Sequence, residues 1–459
     1  MSFFKKKDFF EVKDSRSDLV LLGLGAIVGT GVFVLTGLVS ANYSGPAVTL
    51  SYLIAGVTCI FVALVYTELA TMLPTSGSIY TYSYVAFGEL SAWLMASILI
   101  IELGFSSATV AAGWSAYVVG IIESAGISLP VYLTKVPSDG GFINLPALFI
   151  TLFVGFVLYL GTRDSKRLNT ILVFVKMMAI FVFIVIAAPN FNIKHWRDFM
   201  PFGFNNVLVG SSILFFSYTG FGSLASTAEE CKNPKKDLTI GIIGSLVLAT
   251  TIYIIVAGLL TGIVDYKLLN NAQPLALALR ESNSNVGSAI VAVGAVAGMT
   301  TVIMMNLYAL SRIFYVISRD GLLPKFMSKL HPKHDTPYFT LIIFVVMVSA
   351  LGCFCPYEIL GKLSSMAALI DYLMVSMSVV LFRLTLKDVD RPFKCPMVFV
   401  VAPVAFFSSL YLLFKQILDE EGKLLMSGKI IIMWIIFMAI LYIVRSLFLK
   451  SRNKIILKA

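Results

Sequence analysis

The sequence predicts an all-α polytopic membrane protein with twelve transmembrane helices, ten of them forming an inverted repeat of five plus five in which helices 1 and 6 are broken. Three observations carry this reading. Apolar residues make up 58% of the 459-residue chain and charged residues 13%, with a mean hydropathy of +0.90, a composition that excludes a soluble enzyme. Apolar runs of about 20 residues, the length that crosses a bilayer, recur along the whole chain. Two of these runs are interrupted by glycine-rich stretches that lie five spans apart.

The first run has no charged residue from Leu19 to Thr67, yet Gly25-Ala26-Ile27-Val28-Gly29-Thr30-Gly31 places three glycines in seven positions. Glycine costs a helix about 1 kcal/mol relative to alanine, so the helix is expected to break here. Broken backbone at bilayer depth survives only where protein or a polar cavity satisfies its N–H and C=O groups. The freed groups therefore form a candidate binding site, with N–H groups at a half-helix N-terminus facing a carboxylate and carbonyls facing a cation.

Spans fall near 18–40, 46–72, 88–121, 143–162, 168–188, 205–230, 238–263, 286–317, 338–356, 361–382, 394–415 and 428–449. The sixth carries the second interruption, Ser217-Tyr218-Thr219-Gly220-Phe221-Gly222-Ser223. Halves with an odd number of spans must have opposite orientation, which suggests repeats over 18–200 and 201–390, with the breaks meeting at the midplane. Tails at 1–17 and 451–459 and two appended helices over 391–450 complete the division. The plain alternative for each break is a helix–helix contact through small residues.

The net charge of +10 reflects topology rather than a nucleic-acid partner. Of the 35 Lys and Arg, 25 fall in the tails and alternate loops and 9 in the opposite loops. The positive-inside rule then places both termini in the cytoplasm, in a plasma (cell inner) membrane. The odd set Cys59, Cys231, Cys353, Cys355 and Cys395 has no paired ligand spacing and reads as structural, with no metal and no cofactor implied.

Ionisable residues inside spans are costly and need an account. Glu102, midway along span 3, could meet a substrate cation, hold a proton, or bond to Ser106 or Ser107. Lys176, the basic residue left over from the loop count, lies about 13 Å of helical rise past Arg167. It could snorkel or direct its ammonium at carbonyls freed by the first break and exchange protons in a transport cycle. Asp371, central in span 10, is too short to snorkel and faces a polar cavity or bonds within the bundle. Glu68, Glu229 and Glu230 lie at predicted inner helix ends, where solvation is the common case and gating ion pairs are the alternative.

Several segments resemble the amino acid, polyamine and organocation (APC) transporter superfamily, close to bacterial homologues of the cationic amino acid transporters. They are GAIVGTGVFVLTG in span 1, SGSIYTYSYVAFGE after span 2, STAEECKNPKKD after span 6 and SRDGLLP after span 8. The resemblance spans nearly the whole chain. It implies two inverted five-helix repeats and proton-coupled uptake of amino acids across the lipid bilayer by alternating access. It also implies a substrate carboxylate on the N–H groups around Val28, Gly29, Thr30 and Gly31, and an amino group on carbonyls near Ile27, Phe216 and Thr219. Phe221 would gate the substrate, Lys176 would take the place of a sodium ion in proton coupling, and Glu102 matches an acidic site residue. Gly222 departs from the pattern, since the cationic relatives have an acid there. Asp371 would supply the missing charge from another helix, and Asn306 would add a polar group to the pocket.

Other classes fit less well. No GxxxxGK[ST] phosphate loop occurs, which disfavours a pump. His195, His331 and His334 all fall in predicted loops and no HExxH occurs, so intramembrane hydrolysis lacks its base. A receptor that binds an amino acid without moving it, or an amino acid exchanger, remains as an alternative to symport.

Overall fold

The computed structural model describes residues 16–456, apart from 231–232, 335 and 419–421. Cys231 and the ends of both tails lie outside the described residues, as do the side chains of Glu229 and Glu230. Among the described residues all regular structure is helical, apart from one isolated antiparallel bridge between Leu418 and Leu424.

The first apolar run is a chain of short helical pieces. Helix α1 (Arg16–Ile27) ends at the glycine-rich break, a π turn (Gly31–Leu35) restarts the rod, and Thr36–Val39 and a second π turn (Ser40–Ser44) complete it. At Gly45 the backbone adopts φ +59°, a conformation glycine reaches without steric cost, and the chain reverses into α2 (Val48–Met72). The third run is α3 (Glu89–Leu99) and α4 (Ser106–Ser124), joined by a π turn over Ile100–Phe105 that carries Glu102. The Asn144 side chain opens α5 (Leu145–Tyr159) by accepting from Ala147 N at 3.2 Å, an N-cap that satisfies an otherwise orphaned donor. Helix α6 (Thr162–Ala187) carries Lys176.

Helix α7 (Gly203–Leu214) passes into a 3-10 turn (Phe215–Tyr218), a kink at Thr219 and Gly220, and a 3-10 segment (Phe221–Glu230). Then follow α8 (Pro234–Ile263), α9 (Asn285–Arg319), α10 (Tyr338–Phe354), α11 (Tyr357–Thr385), α12 (Val398–Ile417) and α13 (Met426–Ile456).

Nine helical stretches among the described residues are long and apolar enough to cross a bilayer, the first of them Leu19–Met72, which takes in most of α1 and all of α2. Helices α5 and α10 are equally apolar but shorter, at 15 and 17 residues. Phe149, Phe156, Phe174, Phe181 and Phe407 stand exposed on outward helix faces. Water would not tolerate that much contiguous apolar surface, whereas lipid solvates it; the chain is an integral membrane protein. Helix α1 sits inside the bundle, packed against α8, α9 and α6, and α2 packs against α8. The first break is thereby surrounded by protein on every side.

Candidate functional site

The break in α1 covers Val28 and Gly29, and Thr30 already has helical geometry. Residues 25–27 remain helical, so the interruption begins later than the first glycine of the motif. The N–H groups of Gly29 and Thr30 have no main-chain acceptor among the described residues, and Thr30 Oγ1 has no partner either. These unspent donors sit at the start of the half-helix that runs on from Gly31, the end where the helix dipole favours negative charge. Val28, Thr30 and Gly31 are all buried.

The carbonyls of the same stretch are heavily used. Lys176, fully buried on α6, directs Nζ at Leu24 O (2.8 Å), Val28 O (2.8 Å), Gly25 O (3.3 Å) and Thr301 Oγ1 on α9 (3.0 Å). Four oxygen acceptors thus surround three N–H donors, a coordination that an ammonium satisfies and that resembles the oxygen cage of a small cation. The side chain does not snorkel. Tyr253 on α8 places its hydroxyl 2.9 Å from Ile27 O and 3.0 Å from Ser217 O, so one phenol joins the two breaks. Tyr52 on α2 donates to Gly31 O at 3.0 Å, and Tyr117 on α4 to Phe33 O at 2.8 Å.

Apart from the Tyr253 contact to Ser217 O, the second break is capped by its own residues. Thr219 N and Oγ1 both donate to Phe216 O, at 3.1 and 2.7 Å, and Ser223 N donates to Gly220 O at 3.0 Å. Gly220 lies at φ +103°, and a Cβ there would fall 2.9 Å from Ala26 O, so the kink rests directly on α1. A Cβ on Gly31 would meet Ser217 Cβ at 2.4 Å. The interruptions therefore touch, and glycine at 31 and 220 is what lets them approach. A Cβ on Gly29 would instead point at Val302 Cγ2 on α9, 2.6 Å away. Gly29 is a packing contact with α9 on that side, while its N–H stays available.

Phe221 is fully buried, stacked on Tyr372 at 5.1 Å between ring centroids and edge-on to Tyr66 at 5.8 Å. A Cβ on Gly222 would lie 3.1 Å from the Tyr66 hydroxyl, which is held by Ser78 Oγ at 2.6 Å. The space that an acidic side chain would need at position 222 is thus occupied by a tyrosine from α2.

Glu102 and Asp371 are buried at 3% and 1% exposure and lie near enough to act on each other electrostatically. Glu102 Oε2 and Asp371 Oδ1 have no hydrogen-bond partner. Neither serine proposed from the sequence binds the Glu102 carboxylate: Ser107 Oγ donates to Leu103 O, and Ser106 Oγ accepts from Asn306 Nδ2 at 3.2 Å. Asn306 Oδ1 is also unpartnered. The structure thus supplies three buried polar groups with spare acceptor capacity on α9, α11 and the π turn.

Glu68 departs from its expected solvation at a helix end. It is 1% exposed, forms a bidentate pair with Arg383 (2.7 and 2.8 Å), lies 3.4 Å from Arg391 Nε, and accepts from Cys395 N at 2.8 Å. This network ties α2 to the end of α11 and the loop that follows. At the opposite end of the bundle a polar cavity of about 830 Å³ is lined by Glu123, Asp139, Asn144, Gln273, Arg280 and Tyr357, among others. Gln273 Nε2 closes its floor by donating to Ala116 O at 3.1 Å. Among the described residues no group of three or more His, Cys, Asp or Glu is placed to hold a metal.

Sequence reasoning missed Tyr52, Tyr117, Tyr253 and Thr301. Tyrosine and threonine in an apolar run carry no signal, because which carbonyl a hydroxyl reaches depends on helix packing. The signal available was only that a buried hydroxyl must find a partner.

Comparison with known proteins accords with this architecture. A family described as Amino acid permease matches residues 15–447. The chain is 41% identical over 401 residues to the branched-chain amino acid permease BcaP of Bacillus subtilis, covering 86% of each protein. It is 32% identical over 445 residues to the permease of the same name from Lactococcus lactis, covering 92% of this chain and 95% of that one. Against the chloroplastic cationic amino acid transporter 9 of Arabidopsis thaliana identity is 37% over 381 residues, covering 82% of this chain and 67% of the plant protein. These relatives are transporters and permeases, not enzymes, and the chain belongs to the amino acid permease family of the APC superfamily.

Proposed function

We propose that this protein is a secondary active, proton-coupled amino acid symporter that works by alternating access, with twelve spans, ten of them in two inverted five-helix repeats, in a bacterial-type plasma membrane with both termini on the cytoplasmic side. The observation that carries the reading is the asymmetry of the first break. Its carbonyls already accept from Lys176, Tyr253 and Tyr52, while the N–H groups of Gly29 and Thr30 remain unspent. The unspent donors hold the substrate carboxylate. The substrate ammonium meets the remaining lone pairs of the Ile27, Phe216 and Thr219 carbonyls, with Val28 and Gly31 framing the seat and Phe221 closing over it. Lys176 holds the place of a coupling cation and exchanges the proton.

The side chain of the substrate is neutral and apolar in this reading. Tyr66 fills the space beside Gly222, Val302 approaches the break at Gly29, and Met299 lies beside Gly113 of α4 near Thr30. The BcaP relatives, named for branched-chain amino acids, are in keeping with this. A second reading, a cationic side chain, is favoured by the unpartnered Glu102, Asn306 and Asp371.

Uptake by purified protein in sealed vesicles, over the twenty amino acids and with or without an imposed pH gradient, tests the proposal. The expected result is gradient-driven accumulation of leucine, isoleucine or valine. Counterflow without net accumulation would mean an exchanger, and binding without transport a sensor. In the second reading Asp371→Asn weakens lysine or arginine uptake far more than leucine uptake; equal losses remove it.

A further inference from the structure

Lys176 lies on one face of α6 with two polar residues nearer its N-terminus. Asn169 precedes it by seven residues, two helical turns, and Ser165 precedes Asn169 by four, which brings all three to the same side of the helix. That face is turned toward α1 and α9. A Cβ on Gly25 would fall 3.0 Å from both Asn169 Nδ2 and Asn169 Oδ1, and 3.3 Å from Val173 Cγ2. Gly25 O in turn lies 3.3 Å from Lys176 Nζ and accepts from Thr301 Oγ1 at 3.0 Å. Asn169 and Lys176 therefore meet at one residue that has no side chain to fill the space between them.

Asn169 is 1% exposed, and both polar atoms of its amide lack a partner among the described residues. Leaving such groups dry costs about 1–3 kcal/mol each. The amide lines a cavity of about 10 Å³ between α1, α5, α6 and α9, together with Ser165, Leu22, Met304 and Tyr308, a volume that one water fills. The atoms facing Nζ itself are the carbonyls of Leu24, Gly25 and Val28 and the Thr301 hydroxyl, and no carboxylate of the described residues lies within salt-bridge distance of it. The carbonyls cannot take a proton from the ammonium, and the Thr301 hydroxyl cannot pass one on, because its hydrogen is committed to Gly25 O and Gly298 O. A water can.

We propose that Asn169 positions a water in this cavity as the proton relay between Lys176 and the end of the bundle where α6 begins. The inference rests on the reading of Lys176 as the proton-exchanging group. Nδ2 donates to the water oxygen and Oδ1 accepts from the water, which orients a lone pair toward Gly25. On deprotonation an N–H bond of the ammonium breaks and an O–H bond forms on the water, which releases another of its protons toward Ser165 and the aqueous phase; the reverse sequence reloads the amine. Asn169 is a positioning residue and takes no proton itself.

The test uses the full-length protein in proteoliposomes with leucine as the probe. Asn169→Leu fills the cavity and is expected to slow uptake driven by a pH gradient about tenfold or more, with equilibrium binding of leucine unchanged and the slowing in heavy water altered from that of the wild type. Asn169→Ser keeps room for water and a hydroxyl to hold it, and is expected to restore most of the rate. Gly25→Ala narrows the shared space without harming an α-helix and is expected to fall between them. Wild-type rates and isotope response in Asn169→Leu would overturn the relay, as would equal slowing in the leucine and serine variants, which would indicate packing alone. A wild-type protein that accumulates leucine with no response to a pH gradient would overturn the role of Lys176, and the relay with it.

Discussion

The two interrupted helices reach one meeting point by opposite means. The first break is held from outside: Lys176 comes from α6, Thr301 from α9, Tyr253 from α8 and Tyr52 from α2. The second is held largely from within, by Thr219 and Ser223 folding back onto Phe216 and Gly220, with one outside donor, Tyr253, at Ser217 O. A locally capped kink keeps its shape when its neighbours move, because its bonds travel with it. A kink satisfied by four other helices reports on all of them, so a displacement of any one changes the dipoles that would face a substrate. Transport by rearrangement needs one element of each kind, a fixed hinge and a contact whose geometry depends on the state of the bundle.

Substitutions can break this contrast in graded steps. Lys176→Met should have the largest effect, because it leaves Val28 O without a donor, at about 1–3 kcal/mol, strips one of two donors each from Leu24 O and Gly25 O, and removes the ammonium proposed to exchange the proton. Uptake should be lost and the melting temperature in detergent should fall sharply. A variant that melts like the wild type would show that the first break is held by its own backbone after all. Gly220→Ala comes next, at about 1–3 kcal/mol, since it forces φ +103° on an L-residue and drives a Cβ into Ala26 O. Thermal melting checks the cost, and uptake checks that the meeting of the breaks matters.

Tyr253→Phe removes the hydroxyl shared by Ile27 O and Ser217 O and should cost about 1–2 kcal/mol, with a loss of substrate affinity measurable by equilibrium binding. Thr219→Ala should cost least, below about 1 kcal/mol, because Thr219 N still reaches Phe216 O when the hydroxyl is gone. An effect as large as that of Lys176→Met would erase the distinction between the breaks.

Much of this was legible in the residues themselves. Glycine repeated within an apolar run is a poor helix former wherever it stands, so the interruptions near Gly29 and Gly220 follow from sequence, although the first begins only at Val28. Lys176, Glu102 and Asp371 stood out because a charge inside a span is costly in any packing arrangement. Glu68 was misjudged as a solvated helix end: its partners Arg383 and Arg391 lie more than 300 positions along the chain, and no local pattern reveals an ion pair across that distance. The role of Gly222 was legible only as a missing acid, whereas the tyrosine that fills its space belongs to α2.

From its residues alone the chain determined that lipid is its solvent, that two of its spans cannot remain continuous helix, and which side chains are too polar to bury without a reason. Those are properties of each residue against a fixed environment. Tertiary structure decided which donors quench the freed carbonyls, and therefore which N–H groups stay unspent. Hydrogen bonds between helices depend on distances of a few tenths of an ångström, set by the packing of every helix at once.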